Sequence, residues 1–173
     1  HITGEVFRRG LEFIPTVENP DIKQKERLKT WLSDCNVFDQ SMEEVLRQFH
    51  FDVNSLDDGF LYLAKEYTDI GDGKVIAKMQ EIRRLNPALM EFDLDTAGLP
   101  KNSHFLCPIH RENIQETPGK CAKDACDVEL HPAMYKYYHR NKHMYFTDGE
   151  VIHLSKFSPT ETYGWSPLLT IFE

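Results

Sequence analysis

Long apolar runs are missing from this sequence: no stretch approaches 18 residues, and mean hydropathy is −0.51, which excludes a hydropathic membrane-spanning segment. The nine glycines are scattered and none forms G-x-x-x-x-G-K, so no phosphate-cradling loop is encoded. Excess positive charge is lacking too. Twenty Lys+Arg face 28 Asp+Glu, a net charge of −8, which disfavours a whole-surface binder of nucleic acid or anionic lipid. Asn-X-Ser/Thr is absent, and four cysteines in 173 residues are too few for a disulfide scaffold. With no basic-then-apolar pattern among the first residues, these features point to an intracellular setting.

What is present is a cluster. Cys107, Cys121 and Cys126 fall within twenty residues, whereas Cys35 stands apart on the last turn of an expected helix beside Leu28, Trp31 and Leu32 and reads as a buried structural thiol. The clustered segment is C-x2-H-x10-C-x4-C, from Cys107 and His110 to Cys121 and Cys126. Zinc takes four sulfur or nitrogen ligands, commonly as two short-spaced pairs held by tight turns. Pro108 stiffens the first pair, and Pro118-Gly119-Lys120 supplies a turn before the second. The expected ligands of zinc are therefore Cys107, His110, Cys121 and Cys126, with His131 as the alternative to His110. His104 is a further nearby donor.

Several short likenesses surround this segment. Gly119-Lys120-Cys121 through Cys126 to His131-Pro132 resembles the tail of a CCCH-type RNA-binding finger, which implies RNA contact. Leu106-Cys107-Pro108-Ile109, followed by Pro118, Cys121 and Cys126, is similar to the opening of an SP-RING ligase domain. That likeness implies that Leu106, Pro108 and Ile109 meet a conjugating enzyme. The Cys-Pro-x-His and Pro-Gly-Lys-Cys pieces resemble small bacterial heavy-metal-binding modules. Each covers a short segment, and together they assign no family.

Residues 20–99 read as a bundle of four short helices. The first starts at Asn19-Pro20 and carries Leu28, Trp31, Leu32 and Cys35. The second opens at Ser41 with Glu44 at capping-box spacing and buries Met42, Val45, Leu46 and Phe49. The third is expected from Ser55 through Leu56, Phe60, Leu61, Ala64 and Tyr67, and the fourth from Gly73 to Leu85. From Trp31 to Leu85 the pattern resembles a sterile alpha motif. The acidic turns around Asp57-Asp58-Gly59 and Asp72-Gly73 lack the EF-hand ligand order and read as helix caps.

After the cluster, Pro132 is expected to open a short helix with Met134, Tyr135 and Tyr138. Met144–Thr147 and Glu150–Leu154 then flank Asp148-Gly149, a strong hairpin signal, and Leu168–Phe172 can add a strand. Trp165 reads as a core anchor. No acid occurs between Glu129 and Asp148. Tyr135, Lys136, Tyr138, Arg140 and Lys142 in that span form a basic-aromatic stretch able to hold a single strand of nucleic acid.

The expected fold is thus α+β: an N-terminal extension (1–19), a helical bundle (20–99), a zinc-stapled knuckle (100–131), and a short helix with a β-hairpin and terminal strand (132–173). The opening at His1 and the apolar ending read as an excised piece of a longer protein. The leading functional expectation is a zinc-stabilised protein-interaction or scaffold module, with another protein or the rest of its own chain as partner. RNA or single-stranded nucleic-acid binding through the knuckle and residues 132–146 is the first alternative, and a partial-RING-like ubiquitin or SUMO ligase element the second. A catalytic zinc needs an open position and a general base. No H-x-E with P-C-x-x-C occurs, so an enzyme is the least favoured reading.

Overall fold

The computed structural model describes residues 21–94, 101 and 103–156. Among these residues there are two helices, α1 (Ile22–Ser33) and α2 (Met42–Leu56), followed by a pair of long strands, β1 (Asp58–Gly71) and β2 (Lys74–Leu85). Shorter strands complete the order: β3 (Met90–Phe92), β4 (Phe105–Leu106), β5 (Ile114–Gln115), β6 (His131–Pro132), β7 (Tyr135–His139), β8 (Lys142–Phe146) and β9 (Val151–Ser155). They form three antiparallel sheets ordered β2-β1-β9, β3-β7-β8 and β5-β4-β6. No described helix is long and apolar enough to cross a membrane.

This arrangement corrects the four-helix bundle. The first two expected helices are present. Asp21 caps α1 by accepting the Lys23 N–H at 2.9 Å. Ser41 and Glu44 form the reciprocal capping box of α2, Glu44 N–H to Ser41 Oγ at 3.2 Å and Ser41 N–H to Glu44 Oε2 at 2.8 Å. The third and fourth expected helices are instead the two arms of one hairpin, paired from Phe60↔Leu85 to Gly71↔Lys74. The reason lies in burial on both faces of β1. Phe60 joins Leu85, Met90, Tyr135, Phe146 and Val151 in one core, while its neighbour Leu61 joins Cys35, Met42 and Val45 in another. A strand covered on both sides reads as a continuous apolar run, which periodicity alone does not separate from a helix. Asp72 and Gly73 both take positive φ, 55° and 70°, the two-residue turn that Asp-Gly favours in hairpins.

Two corrections follow in the C-terminal part. The helix expected after Pro132 is strand β7, joined to β8 through Arg140 and Asn141 at φ 46° and 63°. Asp148-Gly149 is not a hairpin turn. It lies in a 3-10 turn, Asp148–Glu150, that carries the chain from β8 in one sheet to β9 in another, where β9 pairs with β1. The Glu150 carboxylate is buried. It accepts the Thr147 N–H at 2.9 Å and pairs with Arg111, and those bonds hold the turn in its non-hairpin form.

α2 lies close against the start of β1. A Cβ on Gly59 would come within 2.6 Å of Val53 Cγ2 and 2.8 Å of Phe49 Cε2, so this helix-to-sheet approach requires glycine. Cys35 is fully buried beside Trp31, Leu32, Phe49 and Ile82, just beyond α1 rather than within its last turn. The extension 1–19, Trp165 and the strand expected at 168–172 lie outside the described residues.

Candidate metal centre

β4 delivers the chain into Cys107-Pro108-Ile109-His110. This turn closes when Asn113 donates its N–H to the His110 carbonyl at 2.9 Å, and β5 then pairs back on β4. The second arm is a small ladder. Lys120 bridges Glu129, Cys121 N–H donates to Val128 O at 3.0 Å, and Leu130 N–H donates to Gly119 O at 2.9 Å. Its tip turns through Ala125 at φ 60°, and Cys126 N–H donates to Lys123 O at 3.1 Å. Two tight turns therefore face one another, each carrying two donors.

The ligand atoms of Cys107, His110, Cys121 and Cys126 all lie within 4.8 Å of one another, close enough to hold one metal ion. Cys107 Sγ is 3.9 Å from Cys126 Sγ and 3.8 Å from His110 Nδ1, and Cys121 Sγ is 3.5 Å from the same nitrogen. A tetrahedron with Zn–S of about 2.3 Å and Zn–N of about 2.0 Å has edges of about 3.5–3.8 Å, so donor chemistry and spacing both fit a tetrahedral ion. All three cysteines are buried and unbridged.

The turns set the acidity of two of the sulfurs in opposite directions. Burial pushes the Cys107 thiol up to about 11, with the Cys121 and Cys126 side chains adding to the rise and the His110 and Ile109 N–H groups opposing it. Burial opposes the Cys121 thiolate too. There the Lys123 N–H, His110 and the other two cysteines outweigh it, bringing the thiol down to about 7. Asn113 Nδ2 adds a long contact to Cys121 Sγ at 3.8 Å. N–H groups aimed at sulfur favour the charged ligand form.

His131 sits elsewhere. It pairs with Leu106 across β6 and lines a cavity of about 410 Å³ together with Tyr67, Val75, Pro108 and Arg111. His104 is held by Asp93 Oδ2 at 3.0 Å and Tyr145 Oη at 3.3 Å. The basic-aromatic stretch is divided by the pleat of β7 and β8. Tyr135 is buried in the core, Lys136 pairs with Glu91 at 3.4 Å, and Tyr138 bonds Asn141 at 3.0 Å. Arg140 and Lys142 lie at the turn. Of the five, only Tyr135 is buried; Tyr138, Arg140 and Lys142 are exposed.

The contact that sequence reasoning missed is the reach of the β1–β2 hairpin into this centre. Val75 packs on the cluster of Cys107, Cys121, Cys126 and Val128. A Cβ on Gly73 would come within 2.9 Å of the Asp127 carbonyl oxygen. The Asp72-Gly73 turn was its available signal.

No protein-family model matches the chain, and no curated protein matches it.

Proposed function

We propose that this chain is a zinc-stabilised scaffold module of a larger intracellular protein, acting by protein contact. The observation that carries the reading is the closed set of three sulfurs and one nitrogen within 4.8 Å, all supplied by side chains of two opposed turns. Zinc would bind Cys107, His110, Cys121 and Cys126 and supply the cohesion that burial does not: apart from the cysteines, Val128 is the knuckle cluster's one fully buried side chain among the described residues. A four-ligand site leaves no position for substrate, which favours a structural metal. By fixing the 121–126 arm, it would also fix the hairpin tip through Gly73 and Val75. Near that tip Ile70 and Ile76 remain exposed, apolar side chains available to a partner.

Metal content tests this directly. Elemental analysis of purified chain should give one zinc per molecule, and Co(II) substitution should give the intense visible bands of a tetrahedral thiolate site. Replacing any of the four ligands should abolish both, whereas His131→Ala and His104→Ala should leave them intact. A chain that purifies without metal, and whose circular dichroism is unchanged by zinc or a strong chelator, would overturn the reading. The ligase alternative has less room: Leu106 and Pro108 are buried and Ile109 packs against the knuckle core.

A further inference from the structure

The connection between α1 and α2 is unusually well fastened for a surface loop. Cys35 N–H donates to Gln40 O at 2.8 Å, and Ile82 N–H donates to Cys35 O at 3.0 Å. The buried Asn36 amide donates to Ile82 O at 3.0 Å and Gln40 Oε1 at 3.1 Å, and accepts the Phe38 N–H at 3.0 Å. Yet the two side chains this framework presents, Val37 and Phe38, are each 66% exposed. A rigid mount holding large apolar groups in water is the mark of a contact surface rather than of a slack connection.

Phe38 stands at the mouth of a groove of about 220 Å³ whose floor is Leu85 and Phe146. One wall is Tyr62 with the Arg83 guanidinium 5.3 Å above its ring. The other wall holds Tyr137 and His139, whose rings are 6.2 Å apart and inclined by 14°. Arg84 also enters the groove, oriented by a two-pronged bond to Asp52 at 2.6 and 2.8 Å. Arg83 Nε lies 3.2 Å from Glu81 Oε2 without hydrogen-bond alignment. Among the described residues no acidic side chain lines the groove, and Arg140 and Lys142 follow His139 at the β7–β8 turn.

We propose that this groove binds a short segment of single-stranded nucleic acid, stacking bases on Phe38 and Tyr137 and setting phosphates against Arg83 and the turn cations. Rings outnumber aliphatic side chains in the lining, which suits flat bases better than the aliphatic anchor of a peptide. Ring faces beside cations are the elements that single-strand binders combine. The surface is independent of the metal and differs from the one expected from the sequence, since Tyr135 and Lys136 take no part.

The test is fluorescence anisotropy of labelled oligo-U and oligo-dT, about twelve nucleotides long, titrated with the full chain at low and moderate salt. Binding should saturate and weaken with salt. Phe38→Ala and Arg83→Ala should each weaken it about tenfold, in line with the loss of one stacked base or one phosphate contact. Lys136→Ala and Tyr138→Ala should leave it unchanged. Unaltered thermal unfolding of Phe38→Ala, a surface change, certifies its fold. Absence of saturable binding, binding indifferent to Phe38→Ala and Arg83→Ala, or preference for an acidic peptide over both oligonucleotides would each overturn the proposal.

Discussion

The base of the β1–β2 hairpin and its tip are held by different physics. At the base, β1 is packed on both faces, with Phe60, Phe146 and Val151 on one side and Leu61, Val45 and Cys35 on the other. Aromatic contacts tighten that core: Phe60 stacks on His153 with ring centroids 4.5 Å apart, and Tyr62 lies 4.8 Å from Phe146. At the tip the neighbour is the knuckle, where the buried cluster is three cysteines and one valine. Apolar burial of about 25 cal/mol per Å² makes the base self-sufficient. The tip has far less apolar surface to bury. One hairpin thus joins a hydrophobically stabilised body to a cluster of donors close enough to hold a metal ion.

The largest expected separation of the two regions comes from Cys107→Ser. Zinc content should fall to near zero and amide exchange should rise throughout 104–131, while α2 and the base of β1 stay protected; exchange measured by mass spectrometry reads both. Phe60→Ala reverses the pattern. It should cost about 3–5 kcal/mol of global stability in denaturant unfolding, with the Co(II) spectrum of the folded fraction unchanged.

Acidity comes next. Cys121 is held at about 7, below the ordinary thiol at 9.0, so its thiolate stabilises the metal-free fold fully above the ordinary value and loses that effect as pH falls through about 7. Cys107, raised to about 11, works in the opposite sense: its neutral thiol favours folding below about 9, and that contribution is lost as pH rises through about 11. Alkylation of the metal-free chain should therefore modify Cys121, with a rate midpoint near pH 7, before Cys107. Zinc should protect both, with affinity weakening below pH 7.

A smaller effect is expected at the junction. Gly73→Val puts a side chain at φ 70° and against Asp127 O, costing about 1–2 kcal/mol from the backbone alone. It should weaken protection at the hairpin tip and around Asp127 more than at the base. Least of all is Ser41→Ala, which removes one half of the α2 capping box for about 1 kcal/mol, read as a uniform shift in unfolding midpoint with no change in metal content.

The same contrast explains what the sequence made legible. Sulfur spacing is a local property that chemistry restricts to few uses, so the four donors stood out before any fold was known. Caps are equally local, and Ser41 with Glu44 marked α2 correctly. The long hairpin was obscured because β1 carries Phe60, Leu61, Tyr62 and Leu63 in succession, apolar on both faces, and such a run also satisfies helical spacing. Asp-Gly occurs three times, and at 58–59 it opens β1. Asp72-Gly73 turns a hairpin because its flanking residues find each other as partners. Asp148-Gly149 does not, because Glu150 is drawn inward by Arg111, which stands 39 residues earlier in the chain. The face-by-face division of Tyr135 to Lys142 was hidden for the same reason: pleat, not composition, decides which cations share a surface.

The meeting of Gly73 with Asp127 makes the long hairpin a beam supported at both ends. Arms of 14 and 12 residues extend about 40 Å at strand rise, and the far support is Asp127, the residue that follows the last sulfur. Their lengths are consequently coupled. Deleting two residues from each arm keeps every remaining rung in register and on its face yet pulls the tip back by about 7 Å, out of reach of its abutment. A hairpin of this one span is thereby matched to the place where the chain leaves Cys126.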